Sequence, residues 1–171
     1  MTRQQIIVMT CAYSIALAAA IYFTRATSRR VAGALAGGAA AACMGMGAIV
    51  LGEALGVWWV SLPSTPGTLA LFYLGFAISV SPIYLITWRV AVRFGWRGLA
   101  VCLVIVAVIG PPRDYLFVAT YPEWMGFSPG AVPVLADAAT YVGIVALGHA
   151  VMRLVAGPAR GDRLARRPLT A

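Results

Sequence analysis

Five long apolar runs, near residues 5–24, 31–55, 68–88, 98–119 and 131–153, decide what this chain can fold into. Each approaches or exceeds the roughly 20 residues that a helix needs to cross a bilayer. In hydrocarbon every backbone amide must find its partner within the chain, which favours helices. With 61% hydrophobic residues, 11% charged and a mean hydropathy of +0.88, the chain has too little polar surface for a soluble domain. The expected fold is all-α: an integral membrane bundle of five transmembrane helices over residues 1–157, followed by a basic cytoplasmic tail over 158–171. In the first run, Arg3 and the small residues Ala18-Ala19-Ala20 resemble a signal peptide. Ile21-Tyr22-Phe23 carries the apolar stretch past any cleavage point, so it reads as a retained helix.

Arginine placement gives a direction. Arg25, Arg29 and Arg30 lie in the first connection, and Arg89, Arg93 and Arg97 in the third. Arg153, Arg160, Arg163, Arg166 and Arg167 lie at the C-terminal end. The opposite side carries only Arg3, so the positive-inside rule puts the N-terminus outside and the C-terminus in the cytoplasm. The net charge of +8 thereby reads as topology and contact with anionic membrane lipids, not as nucleic-acid binding. All basic residues are Arg, which fits a GC-rich bacterial genome and hence a bacterial cytoplasmic (inner) membrane.

The second run is rich in glycine, with Gly33 and Gly37 forming one GxxxG and Gly52 and Gly56 another around Glu53. Small residues let membrane helices approach closely, so this helix should be central. Cys11, Cys43 and Cys102 show no metal spacing and are expected to be buried small hydrophobes. Ser79 and Ser81 flank Pro82 and are expected to re-satisfy the backbone at a kink. His149, the one histidine, is expected near the cytoplasmic interface. No cofactor or phosphate-binding motif and no internal repeat is visible, and no metal is implied.

Two outward connections, 57–67 and 121–130, are aromatic and proline-rich, with Trp58, Trp59 and Trp124 among them. They read either as an interfacial aromatic belt with stiff turns or as an apolar lid over a ligand site.

Charge inside the apolar runs marks where chemistry would sit. Gly110-Pro111-Pro112-Arg113-Asp114-Tyr115 puts two prolines and an adjacent ion pair inside the fourth run, and intramembrane charge is costly. At about 1.5 Å of rise per residue, Glu53, Asp114 and Asp137 all fall in the outer half of the membrane, with Arg113 among them. Three carboxylates against one arginine cannot all be neutralised by pairing, so one should be free to act as a general acid. Pro111 and Pro112 also free the carbonyls of Ala107 and Val108. Tyr115 and Tyr141 offer hydroxyls, and Tyr141 lies one turn from Asp137 on the same face. The same residues would equally serve to pin three helices together, or to line an ion or proton path.

The C-terminal third resembles lipoprotein signal peptidase, a membrane aspartyl protease. The resemblance lies in Gly110-Pro-Pro-Arg-Asp114 closing one helix and Ala136-Asp137-Ala138 opening the next, with a connection of similar length. It implies a pair of catalytic aspartates, Asp114 and Asp137. The chain departs from that family in having Pro for the motif's Asn and Arg before Asp114 instead of after it, and it lacks the family's Asn-x-Gly-x-Ala-Phe motif.

Taken together, these residues predict a membrane-embedded acid/base enzyme of cyclase, isomerase or hydrolase type acting on an apolar, isoprenoid-like lipid at the outer leaflet. Asp114 and Asp137 would exchange the proton, Arg113 would hold one of them ionised and Glu53 would tune the pair. Trp58, Trp59, Tyr115, Trp124 and Tyr141 would bind the substrate. The alternatives are an aspartyl protease, a small transporter, or a non-catalytic subunit of a homo- or hetero-oligomer.

Overall fold

A computed structural model describes residues 2–157 of the chain; the basic tail expected over 158–171 lies outside the described residues. The protein is mostly helical: α1 (Arg3–Thr24), α2 (Ser28–Ala54), α3 (Pro66–Thr120) and α4 (Ala131–Ala156). All four are long and apolar enough to cross a membrane. Two short strands, β1 (Trp58–Val60) and β2 (Met125–Phe127), complete the set of elements.

The expected third and fourth helices are continuous as α3, whose 55 residues would run ~80 Å if straight, far beyond a hydrocarbon core of about 30 Å. The helix is broken at Gly95, where φ is 66° and ψ −147°, a conformation open to glycine. Gly98 then packs directly onto Val90 and Phe94. The chain folds back there: Phe76 and Arg113 line one cavity, although a straight helix would hold them ~55 Å apart. The three arginines expected in a connecting loop, Arg89, Arg93 and Arg97, therefore sit on helical turns beside the Gly95 break.

One half of the bundle is packed backbone to backbone. A side chain at Gly37 would strike the carbonyl of Gly148, and one at Gly148 would strike the Tyr84 ring. A Cβ at Gly33 would lie 2.9 Å from the Met152 carbonyl. The Gly33–Gly37 pair thus does what a GxxxG motif does in a membrane helix, and its partner is α4. Tyr84, Leu85, Val145 and Met152 fill this half and are fully buried. Tyr84 donates to the Ile144 carbonyl at 3.1 Å, and Ser81 donates to the carbonyls of Ala77 at 2.7 Å and Ala34 at 3.2 Å. Ser79 bonds the Phe76 carbonyl, so these serines bind carbonyls beside the one that Pro82 frees. His149 is buried in this packed half, its Nδ1 2.9 Å from the Thr87 hydroxyl.

This half ends in the basic collar. Arg30 lies over the Trp88 ring at 3.8 Å, and Arg29 donates to the Val155 carbonyl at 3.3 Å. Two expectations fail here and beyond. Cys11 and Cys43 are exposed on the bundle surface, and Cys43 contacts the Tyr73 hydroxyl at 3.0 Å. Gly52 and Gly56 do not join helices: Gly52 makes room for the Trp58 indole, and Gly56, at φ 66°, turns the chain after α2.

Candidate functional site: a lidded cavity at the opposite end

The two aromatic connections pair with each other. β1 and β2 run antiparallel, with Trp58 opposite Phe127, Trp59 opposite Gly126 and Val60 opposite Met125. Flanking bonds extend the ribbon: Ser61 N–H to the Trp124 carbonyl at 2.7 Å and Ser128 N–H to the Val57 carbonyl at 2.9 Å. A two-stranded ribbon is marginal by itself, and aromatic contacts hold this one. Tyr115 stacks on Phe127 at 4.4 Å with rings nearly parallel, and Trp124 packs between Tyr121 at 5.1 Å and Phe117 at 5.6 Å. Sequence periodicity could not reveal this pairing, because each strand is three residues long and its partner lies far along the chain.

Beneath the ribbon lies a cavity of about 350 Å³, walled by α1, α2, both arms of α3 and α4. Its walls are mostly apolar and aromatic, with one polar patch. Gly110 creates that patch indirectly: any side chain there would collide with the Tyr141 ring, so glycine lets α4 bring Tyr141 against α3. The Tyr141 hydroxyl then accepts a bond from Arg113 at 2.8 Å and donates to Asp114 Oδ1 at 2.9 Å. Arg113 and Asp114 themselves stand 3.8 Å apart. The neighbouring residues of the 110–115 stretch are thus joined through a hydroxyl from another helix, which satisfies both charges at once.

Asp137, one turn before Tyr141 on α4, faces the same cavity but joins no such network. It is 7% exposed, and its Oδ2 is buried without a hydrogen-bond partner. A buried polar atom left unpaired costs about 1–3 kcal/mol, so its retention asks for a reason.

Of the residues expected at the site, Arg113, Asp114, Asp137, Tyr141, Trp58 and Trp124 line this cavity. Three do not. Glu53 lies in the last turn of α2 and accepts the Val60 N–H at 2.8 Å, fastening β1 to that end of the helix. Trp59 lies over Gly126 on the ribbon, and Tyr115 braces the ribbon through Phe127. Depth along a helix is legible from residue count; the direction a side chain takes off that helix is not. Tyr13 of α1, also facing Arg113 across the cavity, was not foreseen, nor were the cavity rings Phe72, Phe76 and Phe117. Only the packing phase of each helix separates them from lipid-facing rings.

Among the described residues no three His, Cys, Asp or Glu side chains converge as a metal-binding group. No protein-family model, curated protein or solved structure matches the chain.

Proposed function

We propose that this is a bacterial inner-membrane protein of five spans, with the two arms of α3 crossing separately and the N-terminus outside, and that its cavity is an acid/base site for an apolar, isoprenoid-like lipid in the outer leaflet. The arginine collar at the Gly95 end supports the orientation, because Arg25, Arg29, Arg30, Arg89, Arg93, Arg97 and Arg153 belong to that end. The observation that carries the site is Asp137: a buried carboxyl with an unpartnered oxygen, facing an apolar cavity of ligand size.

The residues divide the work. Asp137 delivers its proton to one carbon of a chain double bond; a C–H bond forms and positive charge develops on the neighbouring carbon. Ring faces of Trp58, Phe76 and Phe117 stabilise that charge. A proton then leaves the next carbon for a carboxylate and a double bond re-forms, a net isomerisation. Where a second double bond of the same chain first attacks the cationic carbon, a C–C bond forms and the same proton loss completes a ring closure. Neither case needs a co-reactant. Asp114 is the held carboxylate, fixed by Tyr141 and Arg113. That commitment to Tyr141 makes Asp114 unlike one half of a symmetric protease dyad, and favours lipid chemistry over proteolysis. The packed half beneath the cavity, filled by Tyr84 and Met152, likewise favours a one-sided site over a transport path.

A second reading applies to part of the cluster. The Arg113–Tyr141–Asp114 bridge joins α3 to α4 and also fastens them. Asp137 stands outside the bridge, so the two roles separate experimentally. Membranes holding the wild-type chain or Asp137→Asn are incubated in D2O with a lipid extract of the host, and the lipids are read by mass spectrometry. Deuterium gained at carbon in an isoprenoid-like lipid with wild type, and lost with Asp137→Asn, is the expected result. Identical lipid spectra for the two chains would sink the enzymatic reading.

A further inference from the structure

The cavity holds one acid more than it holds bases. Among the described residues that line it, two are carboxylic acids, Asp114 and Asp137, and one is a base, Arg113. The arginine is already engaged by the Tyr141 hydroxyl and by Asp114. One carboxyl is left over, and it is the more deeply buried one, with an oxygen that nothing in the protein satisfies. Phe76, Phe117, Trp58 and Trp124 line the same cavity.

We infer that this cavity binds a lipophilic organic cation, with Asp137 as its counter-ion and the surrounding rings as its cage. A buried carboxylate is stabilised by an opposite charge brought against it, and aromatic faces attract ammonium-like ions, by about 2 kcal/mol or more when desolvated. A metal ion does not fit the donor set: hard cations want six or more oxygen ligands, and here one carboxylate is available in apolar surroundings. An anion meets two acids against a single arginine that is already engaged.

An approach to the cavity is also present. An open cleft of about 510 Å³ lies between the first turns of α1 and Tyr121, lined by Thr2, Gln4, Gln5 and Val8. Met9 and Trp124 line both the cleft and the cavity, and form the partition between them. The cleft's lining carries no formal charge, so a cation passes it without being trapped by a surface acid.

This inference goes beyond the acid/base reading, because it requires the carboxylate and the rings but no turnover. Its test uses tetraphenylphosphonium and tetraphenylborate, ions of nearly the same size and shape and opposite charge. The purified full chain is placed in phosphatidylcholine nanodiscs, and binding is followed by calorimetry with empty nanodiscs subtracted. Wild type should bind the phosphonium saturably and the borate only as empty nanodiscs do. Asp137→Asn should weaken phosphonium binding on the order of tenfold or more, and Phe76→Leu, which keeps the wall apolar, by a few-fold. Equal binding of the two ions by wild type, or phosphonium binding untouched in a folded Asp137→Asn, overturns the inference. Should Asp137→Asn not fold, the wild-type comparison of the two ions and Phe76→Leu still decide it. Because no product is read, failure here leaves the D2O experiment standing, and the reverse also holds.

Discussion

The same helices build two unlike halves. Towards the arginine collar, α2, α3 and α4 touch through Gly33, Gly37, Gly148 and Ser81, and Tyr84 has no exposed surface. Towards the aromatic ribbon, α2, α3 and α4 present rings and long side chains, stand apart, and enclose a cavity with α1. Small residues in a membrane helix draw backbones together because packing and hydrogen bonding, not hydrophobicity, drive association in lipid. In the closed half glycines such as Gly33 and Gly37 meet backbone carbonyls of a neighbouring helix; beside the cavity Gly45 and Gly110 instead receive rings, those of Phe76 and Tyr141. Stability belongs to the first half, and the residues with chemical potential to the second.

The contrast is sharpest at Gly148. Gly148→Val would drive a side chain into the Tyr84 ring and push α4 off Gly37. Overpacking costs about 1–3 kcal/mol, and with backbone on one side the upper end applies. Loss of monodisperse protein in detergent is expected; an unchanged melting curve would mean that the closed half is not what holds the bundle. Gly52→Val, in the open half, should instead displace the Trp58 indole and loosen the ribbon, with a cost of about 1–2 kcal/mol. Faster limited proteolysis between residues 57 and 65 reads that effect, and proteolysis confined elsewhere would contradict it.

Smaller changes refine the division. Tyr84→Phe removes one bond to the Ile144 carbonyl and should cost about 0.6–1 kcal/mol. Tyr141→Phe leaves Arg113 and Asp114 without their shared hydroxyl but keeps them 3.8 Å apart as a pair. A loss of less than about 1 kcal/mol is expected, with a larger effect on ligand binding than on melting temperature. Glu53→Gln keeps an acceptor for the Val60 N–H and should change stability by a few tenths of a kcal/mol at most. A large loss there would return Glu53 to the charged cluster from which its geometry separates it.

Much of this plan is written in local sequence. Apolar runs located the helices closely, as 31–55 against Ser28–Ala54 shows. Counting residues along helices put Asp114 and Asp137 at one level, and both do face the cavity. What stayed hidden depends on helix phase and on contacts between distant segments. The counting that placed Asp137 also placed Glu53, which instead holds the ribbon. Tyr115 and Tyr141 looked equivalent, yet one braces the ribbon and the other bridges Arg113 to Asp114. Gly52-x-x-x-Gly56 matched a packing motif and is instead a seat for Trp58 followed by a turn. The Gly95 reversal was foreseen as a loop, because one left-handed glycine suffices to turn a helix that otherwise stays intact.

The central claim is that Asp137 is kept for what it binds or transfers and not for what it fastens. Thermal unfolding of Asp137→Leu beside wild type in the same nanodiscs tests it directly. A melting temperature equal to wild type or higher, by up to about 1 kcal/mol of added stability from removing an unpaired buried carboxyl, is the expected result. A fall as deep as that of Gly148→Val would show that the carboxyl holds the bundle together, and would contradict the account.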